Sequence, residues 1–322
     1  MRISTGLALL AGAFAVSAGV AFAQYPERAV TMVVPFPPGG VADTVARPVA
    51  EALGAALNQP VVIENRAGAG GGIGMAHVAK SKPDGYTILM ALSSLVVLPE
   101  ADKVLGRTPA YEVGDLNPIA RFTADPTVLA VRGDAPWKTY QEFIAHAKAN
   151  PDKLNFGSSG NYGTMHIPMA MLMLGTDIRM THVPFTGAGP AIIALLGGTI
   201  DVVASGPATI VQHVKAGKIR ALAHWGEGRL GTLPDVPSLK ELGVPIDFAQ
   251  WAGLFAPAGT PDAVVARLRD AARAAGNDAK VRDVLLKSGS PVLYQDTPDF
   301  QKYVDADARK MSDVVKRIGK LD

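Results

Sequence analysis

The stretch "MVVPFPPGGVADTVARPVA", Met32–Ala50, joins an apolar strand to a helix through a turn of prolines and glycines. Its first residues are apolar and partly β-branched, which favours a strand, and apolar residues recur at helical spacing after Gly40. The two prolines lack a backbone N–H and mainly set direction, whereas the two glycines let another molecule approach the main chain. The stretch therefore predicts a strand-to-helix junction whose backbone is open to a ligand.

A helix that begins at such a turn offers a binding place for an anion. The first four N–H groups of a helix have no partner inside the helix, and the helix dipole adds partial positive charge at the same end. A carboxylate can bind there without an arginine. In the alternative interpretation, Asp43 only caps the helix and Gly39 and Gly40 only form a tight turn.

Two further turns of small residues repeat this arrangement, at Phe156–Gly160 ("FGSSG") and at Val183–Gly189 ("VPFTGAG"). Such turns lie together at the carboxyl ends of parallel strands, where ligands bind in open α/β sheets. Nearby hydroxyl groups can contact a carboxylate or cap a helix: Ser158, Ser159, Thr164 and Thr186. Three turns of one kind favour a shared anion-binding cleft.

Apolar β-rich runs alternate with helical patterns along the chain, which indicates βαβ units and an α/β fold with parallel strands. The predicted strands are Val30–Val34, Val61–Glu64, Thr87–Ala91, Val128–Val131, Leu154–Phe156, Met180–Val183, Asp201–Ala204 and Ile219–His224. The predicted helices are Ala42–Leu57, Ile73–Lys80, Tyr140–Ala149, Met165–Leu174, Ala188–Leu196 and Thr209–Ala216. After Thr260 the pattern is nearly all helical and ends in a helix over Asp299–Ile318.

The first 23 residues have the layout of a secretory signal peptide, with Arg2, an apolar run and Ala21-Phe22-Ala23 as the cleavage signal. We expect cleavage after Ala23 and export to the periplasm; the alternative is an uncleaved membrane anchor. The 31 basic and 29 acidic residues nearly balance, which argues against a nucleic-acid partner. The absence of cysteine excludes disulfides and cysteine nucleophiles.

Known catalytic and cofactor motifs do not fit this chain. "NRAGAGGGIG", Asn65–Gly74, misses the glycine spacing of a dinucleotide loop, and the six histidines lack metal-binding spacing. We therefore expect no cofactor, no metal and no enzyme activity. The rival interpretation is an exported hydrolase that uses Ser158 or Ser159 with a histidine, although His166 fits a helix residue near the cleft better.

Several segments together resemble the Bug family, the extracytoplasmic solute-binding proteins of tripartite tricarboxylate transporters. They include "VVPFPPGGVADTVAR", "LNFGSSGNYGTMH", "HVPFTGAGPAIIALLGGTIDVV" and "LPDVPSLKELG". The resemblance implies a two-lobed periplasmic binding protein fold of type II, with lobe 1 formed by 24–125 plus 251–322 and lobe 2 by 126–250. It places the crossing strands near Thr127–Arg132 and Trp251–Pro257.

The resemblance also implies a small organic acid as ligand, membrane permease subunits as partners and a monomeric receptor. A sensory subunit that presents its ligand to a membrane receptor is the alternative. In lobe 1 the implied ligand-binding residues are Phe36, Pro38, Gly39, Gly40, Ala42 and Asp43, and in lobe 2 they are Ser158, Ser159, Gly160, Thr164, His166, Phe185, Thr186, Gly187 and Ala188. We expect three more serines to face the ligand, Ser93, Ser94 and Ser205.

The chain departs from the family pattern beside Ser93 and Ser94. The sequence there is "LSSLVVLPE", which makes this rim of the cleft more apolar than in relatives. Few basic residues lie near the predicted cleft to neutralise a ligand with several charges. We therefore expect a larger or less polar distal pocket that suits an aromatic or longer-chain acid better than citrate.

Overall fold

The apolar runs form two separate β-sheets with helices packed on both. The computed structural model describes residues 25–320, so the predicted signal peptide lies outside the described residues. The strands are β1 (Val30–Val34), β2 (Val61–Asn65), β3 (Thr87–Leu92), β4 (Leu116–Pro126), β5 (Val128–Arg132), β6 (Asn155–Ser158), β7 (Thr181–Pro184), β8 (Val202–Ser205), β9 (Ile219–His224), β10 (Ala249–Pro257) and β11 (Val292–Asp296).

The helices follow the strands in the alternation that the sequence predicts. They are α1 (Val41–Leu57), α2 (Gly72–Ala79), α3 (Ser94–Val104), α4 (Tyr140–Ala149), α5 (His166–Thr176), α6 (Ala188–Leu196), α7 (Pro207–Lys215), α8 (Asp262–Asn277), α9 (Ala279–Ser288) and α10 (Thr297–Ile318). Within residues 25–320, none of them has the length and apolar character needed to cross a membrane.

Each sheet combines parallel and antiparallel pairs. The larger sheet has the order β11-β4-β10-β3-β1-β2, with β1 parallel to β2 and β3, and with β10 antiparallel to β3 and β4. The smaller sheet has the order β7-β6-β8-β5-β9, with β6 parallel to β7 and β8 and with β5 antiparallel to β8 and β9. We call the parts around these sheets lobe 1 and lobe 2.

The chain crosses between the sheets at two places. Only Thr127 separates β4 of the larger sheet from β5 of the smaller one, and the chain returns between His224 and Ala249. Most of the two segments predicted as crossings, 127–132 and 251–257, therefore lies inside a sheet. The lobe bounds of 24–125 plus 251–322 and of 126–250 stay a prediction.

Three elements were not predicted from the sequence. The apolar rim after Ser93 is helix α3 even though Pro99 lies inside it, because its face of Leu95, Val96 and Val97 is fully buried. Strand β4 contains Arg121 and Asp125, which interrupt the pattern of apolar residues by which a strand is recognised in the sequence. Strand β11 is the one strand in a region after Thr260 that is otherwise helical within the described residues, as the sequence predicts.

The last helix, α10, links the two lobes. It buries Phe300, Val304, Met311 and Val315 and packs against α3 of lobe 1 and α5 of lobe 2. Just after it, the carbonyl of Gly319 accepts a hydrogen bond from the Tyr162 hydroxyl at 2.7 Å. The helix therefore contacts both lobes.

Candidate functional site

The two lobes meet through glycines that lie directly against the opposite main chain or ring. A Cβ atom placed on Gly187 of lobe 2 would lie 2.4 Å from Cδ of Pro37 in lobe 1. A Cβ atom on Gly160 would lie 2.8 Å from the backbone nitrogen of Gly70, again across the cleft. The turns that the sequence singled out therefore face each other, and the two lobes are in contact at these turns.

Helices that begin at this cleft lack side-chain caps. In the described part of the chain, α1, α2, α3, α5, α6 and α7 begin without a capping side chain, and so does α8 after Pro261. Helices α4, α9 and α10 begin instead with Thr139, Asp278 and Asp296 as caps. The starts of α1 and α6 therefore bring N–H groups and the positive ends of helix dipoles to a place where an anion can bind. At α5, in contrast, the N–H groups of His166 and Ile167 already donate to the Gly163 carbonyl.

Three serine hydroxyls around the cleft are buried and unused. The Oγ atoms of Ser93, Ser94 and Ser159 have no hydrogen-bond partner among residues 25–320, and each residue is at most 2% exposed. Ser93 and Ser94 belong to lobe 1, and Ser159 belongs to lobe 2. A buried hydroxyl without a partner costs about 1–3 kcal/mol, so a ligand oxygen between the lobes would relieve that cost.

Asp43 has an internal role in the proline–glycine turn. Its Oδ2 atom accepts hydrogen bonds from the Gly39 N–H at 2.9 Å and from Arg47 Nε at 2.8 Å. Its Oδ1 atom accepts from Arg47 and from Asn65. Burial opposes ionisation, but these hydrogen bonds outweigh it and hold the pKa of Asp43 below its usual value. The carboxylate shapes the turn, and its oxygens are not free for a ligand.

Ser158 likewise holds its own turn. Its Oγ atom lies 2.6 Å from Nε2 of His182 and accepts a hydrogen bond from the Gly160 N–H at 3.0 Å. The residue is fully buried, so the serine–histidine pair fixes the turn and offers no accessible nucleophile. Ser205 is similar, because its Oγ atom bonds to Thr209 at 2.8 Å.

Two histidines stack behind the serine turn in lobe 2. The rings of His166 and His182 lie 4.5 Å apart, and both pack on Phe156. Burial, followed by the neighbouring His182, lowers the pKa of His166 to about 3. Burial lowers the pKa of His182 to about 4. Both rings are therefore neutral near pH 7 and support the turn from behind.

The remaining predicted residues divide between the interior and the mouth of the cleft. Those that are buried are Phe36, Gly40, Ala42, Gly160, Thr164 and Gly187. Pro38, Gly39 and Thr186 are exposed at the outer side of their turns, and Ala188 is half-buried. Phe185 and Thr186 line a groove of about 990 Å³ between the lobes, whose other wall includes Ile73, Leu98 and Tyr111.

Sequence reasoning missed Gln250 on β10. Its Nε2 atom has no acceptor within the part of the chain that the structure describes, and the residue is 1% exposed. It is the only polar side chain in the strand "AQWAGLFAP". A single polar residue in an otherwise apolar strand is the feature of the sequence that could have indicated Gln250. Only the three-dimensional structure shows where its side chain lies.

Comparison with known proteins places this geometry in one family. The model of the tripartite tricarboxylate transporter family receptor matches residues 45–320. Among solved structures, the periplasmic binding protein BugD has 33% sequence identity and a TM-score of 0.87, over 92% of this chain and 99% of BugD. This similarity confirms the two-lobed periplasmic binding protein fold and the resemblance to the Bug family.

Two similar structures from Rhodopseudomonas palustris contain a ligand. MatC with bound malate has 33% identity and a TM-score of 0.84, over 90% of this chain and 100% of MatC. Rpa4515 with adipate has 29% identity and a TM-score of 0.86, over 92% of this chain and 98% of Rpa4515. These are binding proteins and not enzymes, so the chain belongs to the tripartite tricarboxylate transporter receptor family of periplasmic solute-binding proteins.

Proposed function

We propose that this protein captures a small organic carboxylate between its lobes and delivers it to the permease subunits of a tripartite tricarboxylate-type transporter. The observation that carries the proposal is the set of unused buried hydroxyls, Ser93 and Ser94 on one side and Ser159 on the other. Ser93 and Ser94 lie at the uncapped start of α3, which suits a negatively charged oxygen, and Ser159 lies in the turn that follows β6. The protein works as a monomer in the periplasm after cleavage following Ala23.

Closure of the lobes is the binding step and no covalent bond changes. A ligand held by both lobes stabilises the closed form in proportion to the contacts that only this form provides. Removing a carboxylate from water is costly unless its oxygens are paired, and the amides and hydroxyls of the turns supply those partners. The permease then recognises the closed receptor.

The apolar side chains beside the cleft favour an acid with a long or aromatic body. Leu98, Tyr111 and Phe185 line the groove between the lobes, beside the turn of Gly160. The relatives that hold malate and adipate extend the range from a short to a longer diacid. We therefore propose adipate-like diacids or aromatic monocarboxylates as better ligands than citrate.

The test is a thermal-shift screen followed by calorimetry on the purified mature protein. The panel contains malate, adipate, benzoate and citrate, with glucose and putrescine as a neutral and a cationic control. We expect at least one acid to raise the melting temperature and both controls to leave it unchanged. Binding of none of the acids would refute the proposal, and tighter binding of citrate than of adipate and benzoate would refute the ligand preference.

A further inference from the structure

We propose that Gln250 is a ligand-binding residue at the floor of the cleft, where its side-chain amide donates a hydrogen bond to the carboxylate. This inference rests on the proposed function, since it assigns a further donor to the same acid. Gln250 lies on β10, close to where the chain returns from lobe 2 to lobe 1. Its side chain is therefore placed to contact elements of both lobes.

The position of the amide group is fixed by its neighbours. A Cβ atom placed on Gly206 would lie 2.4 Å from Gln250 Nε2 and 2.7 Å from Cγ2 of Val41. Gly206 is the N-cap of α7 in lobe 2, and Val41 is the first residue of α1 in lobe 1. The amide group is thus packed at the junction of two uncapped helix starts from opposite lobes.

The unused hydrogen-bonding capacity of this amide indicates a ligand. Gln250 is 1% exposed, and its Nε2 atom donates to no acceptor among the described residues. Asp125 is its direct partner in the β4–β10 ladder, yet no hydrogen bond joins the two side chains. The Gln250 amide is directed to the two helix starts and not to Asp125. It can therefore donate a hydrogen bond to an anionic oxygen of a ligand.

A leucine at position 250 is the informative variant, because it keeps the approximate size of the side chain and removes its donor. We expect Gln250→Leu to weaken binding of the tightest acid among malate, adipate and benzoate about 10- to 100-fold, the loss typical of a hydrogen bond to a charged group. The ligand-free melting temperature should stay the same or rise, because an unsatisfied buried donor has been removed. Gln295→Leu on β11 of the same sheet is the matched control and should bind as the wild type does.

The outcomes separate this inference from the proposed function. If the wild type binds an acid and Gln250→Leu binds it within twofold, Gln250 does not contact the ligand, while the proposed function stands. A lowered ligand-free melting temperature together with unchanged affinity would show that Gln250 only supports the hinge, for example through Asp125. If the wild type binds no acid of the panel, the proposed function fails and this inference fails with it.

Discussion

The backbone conformation and the packing at position 40 do not explain why the residue there is a glycine. Gly40 has φ −80° and ψ 173°, which any residue adopts, and a Cβ atom there would meet only the Pro37 carbonyl at 3.5 Å. Neither backbone strain nor internal crowding therefore requires glycine at this position. Access of a ligand to the first N–H groups of α1 is a sufficient reason for the missing side chain.

Replacement of Gly40 by leucine should therefore impair binding without impairing folding. The new side chain would cover the N-terminal end of α1, and we expect acid affinity to fall about tenfold or more. Calorimetry measures the affinity, and the melting temperature reports the fold. Gly114→Leu, at a position with open space around it, is the control. A well-folded Gly40→Leu protein with normal affinity would contradict the assignment of this turn.

The turns were predictable at the residue scale because their signals are local. Pro37, Gly39 and Ser159 stand in short motifs that specify a strand end, a turn and a helix start. The role of Asp43 was not predictable, since Asn65 reaches it from another strand at 3.0 Å. Gln250 was missed for the same reason, because only the packing of β10 against both helix starts gives its amide a direction.

At the element scale, the structure reproduces several predicted bounds without change. Strand Val30–Val34, helix Tyr140–Ala149 and strand Ile219–His224 coincide with the predictions. Each of them has regular periodicity and clear flanking residues, and α4 also has the capping box of Thr139 and Glu142. Strand β4 was missed because its stability comes from pairing with β10 and β11, which are distant in sequence.

The stacked histidines on α5 and β7 make stability depend on pH. The unfolded pKa of histidine is about 6.5, whereas His166 and His182 titrate at about 3 and about 4 when folded. The unfolded chain therefore binds more protons below pH 6.5. Stability must fall as the pH drops from about 6.5 towards 4, by up to about 1.4 kcal/mol per pH unit for each histidine.

Urea unfolding at pH 7, 6 and 5 measures this dependence, and His182→Gln is the variant that reduces it. Burial raises the pKa of Asp125 to about 6, which acts in the opposite direction over part of the range. Asp125 is present in both proteins, so the difference between their slopes reports the histidine pair: it contains the loss of His182 and the smaller effect of His182 on the pKa of His166. Equal slopes for the wild type and His182→Gln would show that folding does not lower the pKa of His182.

At the scale of the whole molecule, closure depends on how near the lobes can approach. Gly187 has φ 175° and ψ −179°, an extended conformation that alanine adopts without strain. Gly187→Ala should therefore leave lobe 2 intact, while its Cβ atom collides with the Pro37 ring of lobe 1. We expect the variant to stay open with ligand present and to bind about tenfold or more weakly.

Small-angle scattering with and without ligand measures closure, and calorimetry measures the affinity. Gly189→Ala is the matched control, since its Cβ atom would meet only the Pro38 carbonyl at 3.8 Å. Adding Pro37→Ala to Gly187→Ala removes the ring atoms that collide and should restore much of the binding. Normal closure of the single variant would mean that the lobes tolerate a wider separation than the structure indicates.

The uncapped helix starts also bear on how such a receptor can diversify. Backbone amides are present whatever side chain a codon specifies, so point mutation rarely removes the groups that hold the charged end of the ligand. Changes at side chains such as Leu98 or Phe185, which line the neighbouring groove, alter only the fit of the uncharged body. Receptors with this fold can therefore change their ligand specificity by single substitutions while the backbone contacts to the carboxylate stay the same.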